Sequence, residues 1–409
     1  MSTINVLYAT HDGHQAGQMK RQYQATHPWL TFDLDLRPAP SSLWLKLGEA
    51  QSKCEHLAGY PLKPEYARRL HMVYLAKGVL ATTAIEGNTL SEEEVSAHLE
   101  GKLQLPPSRA YLTQEIDNIV ELYNGLLTSM AAVGDNNIRP DLVKEFNKTV
   151  LRNLPVDEHT TPGDIRKDSR VVGRYRCPPP EDCDFLLGEL CDWLNSDKLG
   201  LQDGNEIVCG IIRAIVAHTY LVWIHPFGDG NGRTARAVEV KILLDAGVPS
   251  DACQLLSNYY NKTRPEYYRQ LDAASKQHSN ILPFIEYAVT GLVEELKEQI
   301  DSIRNMNLDI TWVNYIHDQF RDKKSPPERR RRALALAISE HEFVQLASIK
   351  KLTPDLAAEY SQKAERTVLR DVSHLIAMGL VERVGTRSVR AKKEVISAFL
   401  PTRKHLNNS

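Results

Sequence analysis

Residues 206–246 read EIVCGIIRAIVAHTYLVWIHPFGDGNGRTARAVEVKILLDA. The part up to Ile224 is apolar on nearly every side and holds no proline, the pattern of a helix buried all round. Pro226 and three glycines interrupt it within HPFGDGNGRTAR (225–236), and a helical pattern resumes to about 246. Two buried helices joined by a polar, glycine-rich turn predict an all-α architecture around this hairpin.

Upstream, SSLWLKLGEAQSKCEHLAGY (41–60) runs at helical period, and YARRLHMVYLAKGVLATTAIEGN predicts a helix from about 65 to 86 stopped by Gly87-Asn88. Ser91-Glu92-Glu93-Glu94 has the form of a capping box. Residues 112–150 read as two helical segments around a Gly134-Asp135-Asn136-Asn137 loop, and 183–196 as another helix. Between them TTPGDIRKDSRVVGRYRCPPP (160–180) changes character, and a small hairpin is expected around Gly163–Tyr175. Two more helices are expected over 265–300. SPPERRRR (325–332) reads as a linker. Beyond it, helical stretches near 330–343, 345–350, 353–360 and 363–378 precede turns at Gly379 and Gly385 and a basic hairpin, the outline of a winged helix-turn-helix over 325–400.

The chemistry concentrates in residues 225–236. Gly228, Gly230 and Gly232 let the backbone turn tightly and bring N–H groups close to a ligand. The following helix offers its N-terminal amides to an anion. Arg233 and Arg236, three apart, suit two phosphate groups, and Asp229 is a hard oxygen ligand for Mg²⁺. His225 can take a proton near neutral pH. These residue types point to a nucleotide transferase or a phosphatase.

The chain has 409 residues with 42% hydrophobic and 25% charged, ordinary usage for two or three folded domains. Its six cysteines form no C-x-x-C pair, so reduced thiols are expected rather than a disulfide frame or zinc site. The start MSTINVLYATHDGHQ lacks signal-peptide character, and no uninterrupted apolar run approaches the ~20 residues of a membrane span. Secreted, membrane-spanning, collagenous and disordered classes are excluded on this reading, and a cytoplasmic location with no membrane partner is expected. Net charge is −2, but Asp322–Ser409 carries 18 Lys and Arg against 10 Asp and Glu, leaving +8 there and −10 elsewhere. Two surfaces with different partners are expected.

HPFGDGNGRTAR matches the H-P-F-x-x-G-N-G-R-x-x-R signature without a gap, and on it the chain resembles the Fic family of nucleotidyl transferases. The resemblance covers roughly 41–300 and implies a Fic-type helical bundle with a hairpin flap that transfers AMP from ATP to a hydroxyl of a target protein. His225 would be the general base and Asp229 the Mg²⁺ ligand. Gly228, Gly230, Asn231, Gly232 and Arg233 would hold the phosphates, and Arg236 would meet the γ-phosphate. Gly232 resembles the AMP-transferring branch, since the kinase-like Doc branch usually has Lys there. Thr82-x-x-x-Glu86-Gly87 resembles the family's inhibitory motif, whose Glu pairs with the second signature Arg, here Arg236, and prevents productive ATP binding. Tyr268 resembles a tyrosine of the adenine pocket, whereas Ser275 departs from the Asn of some relatives.

Read this way, residues 1–110 are an N-terminal Fic-associated region with an inhibitory helix at about 65–88. Residues 111–305 are the catalytic core and 325–400 the winged helix-turn-helix. Removal of AMP from a target, and a nucleotide-sensing transcriptional regulator acting through the winged helix, stay open as alternatives, as do DNA binding and a homodimer. Arg366, Arg370, Arg383, Arg387 and Arg390 would supply DNA phosphate contacts. Apart from the motif, His218 reads as a core histidine, and Tyr259, Tyr260, Tyr267 and Tyr268 read mainly as packing between helices.

Overall fold

A computed structural model describes residues 21–396, apart from 61, 132–135, 197–198, 200–204 and 277–279. The reading of the first fifteen residues, Gly134-Asp135 of the expected loop, and 397–400 lie outside the described residues. The chain divides into two compact units, Met1–Lys297 and Glu298–Ser409.

The first unit is built from α1 (Tyr23–Thr26), α2 (Ser41–Ala58), α3 (Pro64–Ala84), α4 (Glu92–Leu99), α5 (Ala110–Ala131) and α6 (Pro140–Val150). The hairpin β1 (Val171–Val172) and β2 (Tyr175–Arg176) follows. Next come α7 (Pro180–Leu194), α8 (Glu206–Ile224), α9 (Asn231–Asp245), α10 (Leu255–Lys262), α11 (Arg264–Lys276) and α12 (Leu282–Gln319), which continues into the second unit. By length and composition α8 could cross a membrane, but here it is a largely buried core helix. It packs against α2, α7 and α9, and α9 packs in turn against α3, α5 and α6. The motif loop is thereby held between the two most enclosed helices of the unit.

α3 starts with Pro64 at its first position, where the missing N–H costs nothing, and ends just before a turn whose Gly87 adopts φ +108°. α4 has the full capping box: Ser91 Oγ accepts from Glu94 N at 3.2 Å, and Glu94 accepts from Ser91 N at 2.9 Å. The hairpin pairs Val171 with Arg176 and Val172 with Tyr175, so it forms at the far end of the expected 163–175 stretch. α10 was absent from the sequence expectation.

The second unit adds α13 (Pro326–Ser339), β3 (Val344–Gln345), α14 (Pro354–Tyr360), α15 (Glu365–Ala377), β4 (Val381–Val384) and β5 (Ser388–Ala391). Its antiparallel sheet has the order β3-β5-β4. The arginine run expected as a linker is instead the start of α13. Arg330 is only 5% exposed and donates to the buried Asp371 at 2.8 Å, with Arg331 on the other carboxylate oxygen at 2.9 Å. Trp312, Ile316 and Phe320 at the end of α12 already belong to this unit's core, which is why it begins upstream of 325.

Candidate active site

α8 ends at His225, whose φ of 50° is left-handed, a rare conformation for a residue with a side chain. Arg166 holds it there. Its Nε donates to the His225 carbonyl at 2.7 Å, and its other nitrogens reach the carbonyls of Asp168 and Pro178, each at 2.6 Å. The Arg166 backbone N–H also donates to Pro226 O at 2.9 Å, so the segment before the hairpin is tied to the motif loop. Burial, then the Arg166 charge, pushes the His225 pKa down to about 4, against smaller opposing contributions from its Val222 backbone hydrogen bond, Glu86 and Asp229. At neutral pH the imidazole is therefore an uncharged base.

Asn231 opens α9 and brackets the loop: its side chain accepts from Phe227 N and donates to Phe227 O, each at 2.9 Å. It is 4% exposed, so the residue expected at the phosphates has both ends of its amide engaged in shaping the loop that would hold them. Gly230 sits at φ +73°, where it meets Asn147 and Leu151, so the turn needs glycine. Asn147, buried on α6, donates to Asp229 O and Thr234 Oγ1 and accepts from Gly163 N. Gly228 packs against Thr160.

Arg233 and Arg236 are not exposed helix charges. Arg233 Nη1 donates to Glu115 at 3.1 Å, and its Nη2 lies 3.5 Å from Asp229. Glu115 also accepts from Asn88 Nδ2 at 2.8 Å, so Asn88, just beyond α3, is joined to Arg233 through one carboxylate. Arg236 is fully buried and donates to Thr82 Oγ1 and Thr82 O, each at 2.8 Å, and to Glu86 at 2.7 Å. Its Nη1 has no hydrogen-bond partner.

Glu86 lies just past the last residue of α3. A Cβ at Gly232 would stand 2.1 Å from Glu86 Oε1, so the carboxylate rests directly on the first turn of α9. The chain's own anion occupies the place where a helix N-terminus and an arginine would receive one. Burial raises the Glu86 pKa, but the Arg236 charge and hydrogen bond, with Arg233 and His225, more than offset this and leave it below the ordinary carboxylate value.

Two residues of α11 hold the end of α3. Arg264 donates to Ala84 O and the Tyr268 hydroxyl to Ile85 O, both at 3.3 Å. A cavity of about 640 Å³ joins Glu86, His225, Gly232, the hairpin tip, Tyr268 and Ser275. That volume is within the range of small-ligand sites. Tyr267 also lines it, whereas Tyr260 is wholly buried and stacks on Tyr267. His218 is a core histidine bonded to Tyr267 Oη at 2.9 Å, and burial lowers its pKa to about 3.

Among the described residues no group of three or more His, Cys, Asp or Glu could hold a metal ion. Asp229 is a single carboxylate, 49% exposed, beside Arg233. One carboxylate suits Mg²⁺, which keeps waters and takes further oxygens from substrate phosphates rather than from a closed protein cage.

Residues 137–243 match the model of the Fic/DOC family. Over this segment the chain resembles a Fic domain. The chain is 30% identical over 254 residues to protein adenylyltransferase fic-1 of Caenorhabditis briggsae, which covers 60% of this chain and 46% of that protein. It is 31% identical over 233 residues to its Caenorhabditis elegans namesake, spanning 57% of this chain and 42% of that one. The chain thus spans less than half the length of these relatives. A Fic family protein from Desulfovibrio desulfuricans shares the fold, with a TM-score of 0.53 and 23% identity over 88% of this chain and 97% of that one. The solved Fic-1 fragment from C. elegans aligns with a TM-score of 0.52 and 26% identity, covering 64% of this chain and 72% of that chain.

Glu115, Asn147 and Arg166 are the site residues that sequence reading missed. Each works through a contact distant in sequence, and only the family motifs carried a local signal.

Proposed function

We propose that this protein transfers AMP from ATP to a hydroxyl side chain of a target protein and is held inactive by Glu86. The observation that carries the reading is one cavity lined by an uncharged His225, the first turn of α9 and Glu86, whose carboxylate is already bound to the buried Arg236. Relatives named protein adenylyltransferase support it.

In the reaction, the target hydroxyl oxygen bonds to the α-phosphorus, and the bond from that phosphorus to the pyrophosphate oxygen breaks. His225 takes the hydroxyl proton, and pyrophosphate leaves with the bonding electrons. Arg233, Arg236 and the first amides of α9 compensate the charge on the phosphates. Asp229 would hold Mg²⁺, which when bound neutralises phosphate charge. Glu86 must first leave Arg236, because a carboxylate and a phosphate cannot share that guanidinium face. Tyr268 and Ser275 line the part of the cavity assigned to the base. The hairpin, with Val171 58% exposed, is the edge on which an extended target segment would add.

The same reading takes Glu298–Ser409 as including a winged helix and keeps a cytoplasmic setting, in which the six free cysteines stay reduced.

The test is transfer from ATP labelled at the α- or the γ-phosphate, with Mg²⁺ and cell lysate, by Glu86→Gly and by Glu86→Gly/His225→Ala. The α-label should enter protein with the first variant and not with the second. Transfer of only the γ-label would make the enzyme a kinase. Transfer of neither label would point to AMP removal.

A further inference from the structure

We infer that the second unit binds duplex DNA, through Arg366 and Arg370 on α15 and Arg383 and Arg387 on the β4–β5 hairpin. This inference is independent of the transferase reading and rests on how the unit's cations are partitioned. One set is neutralised internally. Arg330 and Arg331 hold Asp371, Arg390 bonds Glu382 and Glu394, Lys393 bonds Asp309, and Arg321 bonds Asp318. Arg390, expected from the sequence as a phosphate contact, therefore drops out. Arg366, Arg370, Arg383 and Arg387 lie outside that set, as do scattered exposed cations such as Lys324, Arg329 and Lys351, but only these four cluster on one helix and the hairpin that follows it. All four are exposed, and among the described residues none of them forms an ion pair.

The placement of these four is specific. α15 turns Val368, Asp371, Val372 and Leu375 into the core. Arg366 and Arg370, one turn apart, therefore share its outer face with Leu369 and Ser373, and Glu365 at the helix start is its one exposed acid. Gly379, at φ +73°, turns the chain directly into β4, whose Arg383 lies opposite Val389 of β5, and Arg387 sits at the hairpin tip. A rigid helix and the adjoining hairpin thus present fixed cations from consecutive elements.

A helix with side chains is ~10–12 Å across and enters the ~12 Å major groove of B-DNA, while a neighbouring hairpin reaches the flanking backbone. The deep, narrow major groove of an RNA helix does not admit it. A membrane surface fits poorly, because α15 turns its apolar stripe into the unit's own core and Leu369 is its one exposed large apolar side chain.

The experiment is anisotropy of a labelled duplex of about 25 base pairs with the full chain, over salt from about 50 to about 200 mM. Four phosphate contacts predict that log K falls against log salt with a slope of about −3.6. Arg366→Ala/Arg370→Ala and Arg383→Ala/Arg387→Ala should each flatten that slope by about 2 and weaken binding about tenfold or more. Arg321→Ala, which removes a paired cation, should bind as wild type. Several results would overturn the inference: no duplex binding at low salt, an unchanged slope in both double variants, equal binding of single strands, or stronger binding to anionic vesicles. Transfer of α-label, measured on the same variants carrying Glu86→Gly, separates the two readings. Loss of transfer with DNA binding intact would count against the enzyme assignment alone.

Discussion

At position 232 a side chain as small as alanine's would collide with the Glu86 carboxylate. The backbone there is helical, and apart from Glu86 only Arg236 Nη1, 3.1 Å from such a Cβ, would have to give slightly, so the cost of Gly232→Ala depends mainly on whether Glu86 is present. In the wild type the carboxylate must move off Arg236, and a loss of about 1–3 kcal/mol is expected for a charged hydrogen bond. In the Glu86→Gly background the same change should be neutral or stabilising by up to ~1 kcal/mol, since alanine is the better helix former. Denaturant midpoints of the four proteins measure the coupling, and equal effects in both backgrounds would refute it. His225 gives a second prediction. With its pKa held at about 4, kcat/KM of Glu86→Gly should stay level from about pH 8 to about pH 6 and fall only further into acid. Removing Glu86 takes away a contribution that raises this pKa, so the level region cannot shrink. An acid limb near ~6.5, where a solvated histidine titrates, would contradict the buried-base account. That the 225–236 loop and Glu86 would meet was expected from two local patterns, the consecutive loop residues and Thr82-x-x-x-Glu86-Gly87, and the Glu86–Arg236 contact brings the two together. Arg166 was not, because its partners are backbone carbonyls that no local pattern reveals.

α3 and the turn after it act as one element, fastened at several points. Thr82 and Glu86 hold Arg236, Arg264 and Tyr268 hold the last carbonyls, and Asn88 holds Glu115. Tyr268, expected at the adenine, thus also secures the turn that carries Glu86. Asn88 is 8% exposed and additionally bonds Leu112 O at 3.0 Å and Leu90 N at 3.0 Å. Asn88→Ala should lose about 1–3 kcal/mol of stability by leaving buried partners unpaired. It should also activate transfer less than Glu86→Gly does, because the Glu86–Arg236 pair remains. A thermal melt and a transfer assay check the two halves, and activation beyond that of Glu86→Gly would show that the turn, not its carboxylate, is what inhibits. α3, α4 and α8 were readable because a cap, a glycine stop or an unbroken apolar run marks each end. α10 has no such marks: its N-terminal neighbour Gln254 makes no side-chain cap, and its helicity comes from packing on α3.

For the molecule as a whole, the two hydrophobic cores are separate, and the buried Asp371 organises the second. Burial raises the Asp371 pKa, but Arg330, Arg331 and Tyr360 hold it below its ordinary value. Its contribution is therefore complete above ~pH 4 and is lost as pH falls through the depressed pKa. Asp371→Ala strands a buried arginine and should destabilise the second unit by about 3–5 kcal/mol, read in calorimetry as a shift of that unit's transition. The arginine run misled the sequence reading because buried and solvated arginines look alike until their partner, forty residues away, is placed beside them. The central claim concerns a single carboxylate, and the rate of AMP transfer from α-labelled ATP at fixed Mg²⁺ tests it most directly. Glu86→Gly should exceed wild type by about tenfold or more, the scale of one charged contact at ~1.4 kcal/mol per decade. Equal rates from equally folded proteins would contradict the account.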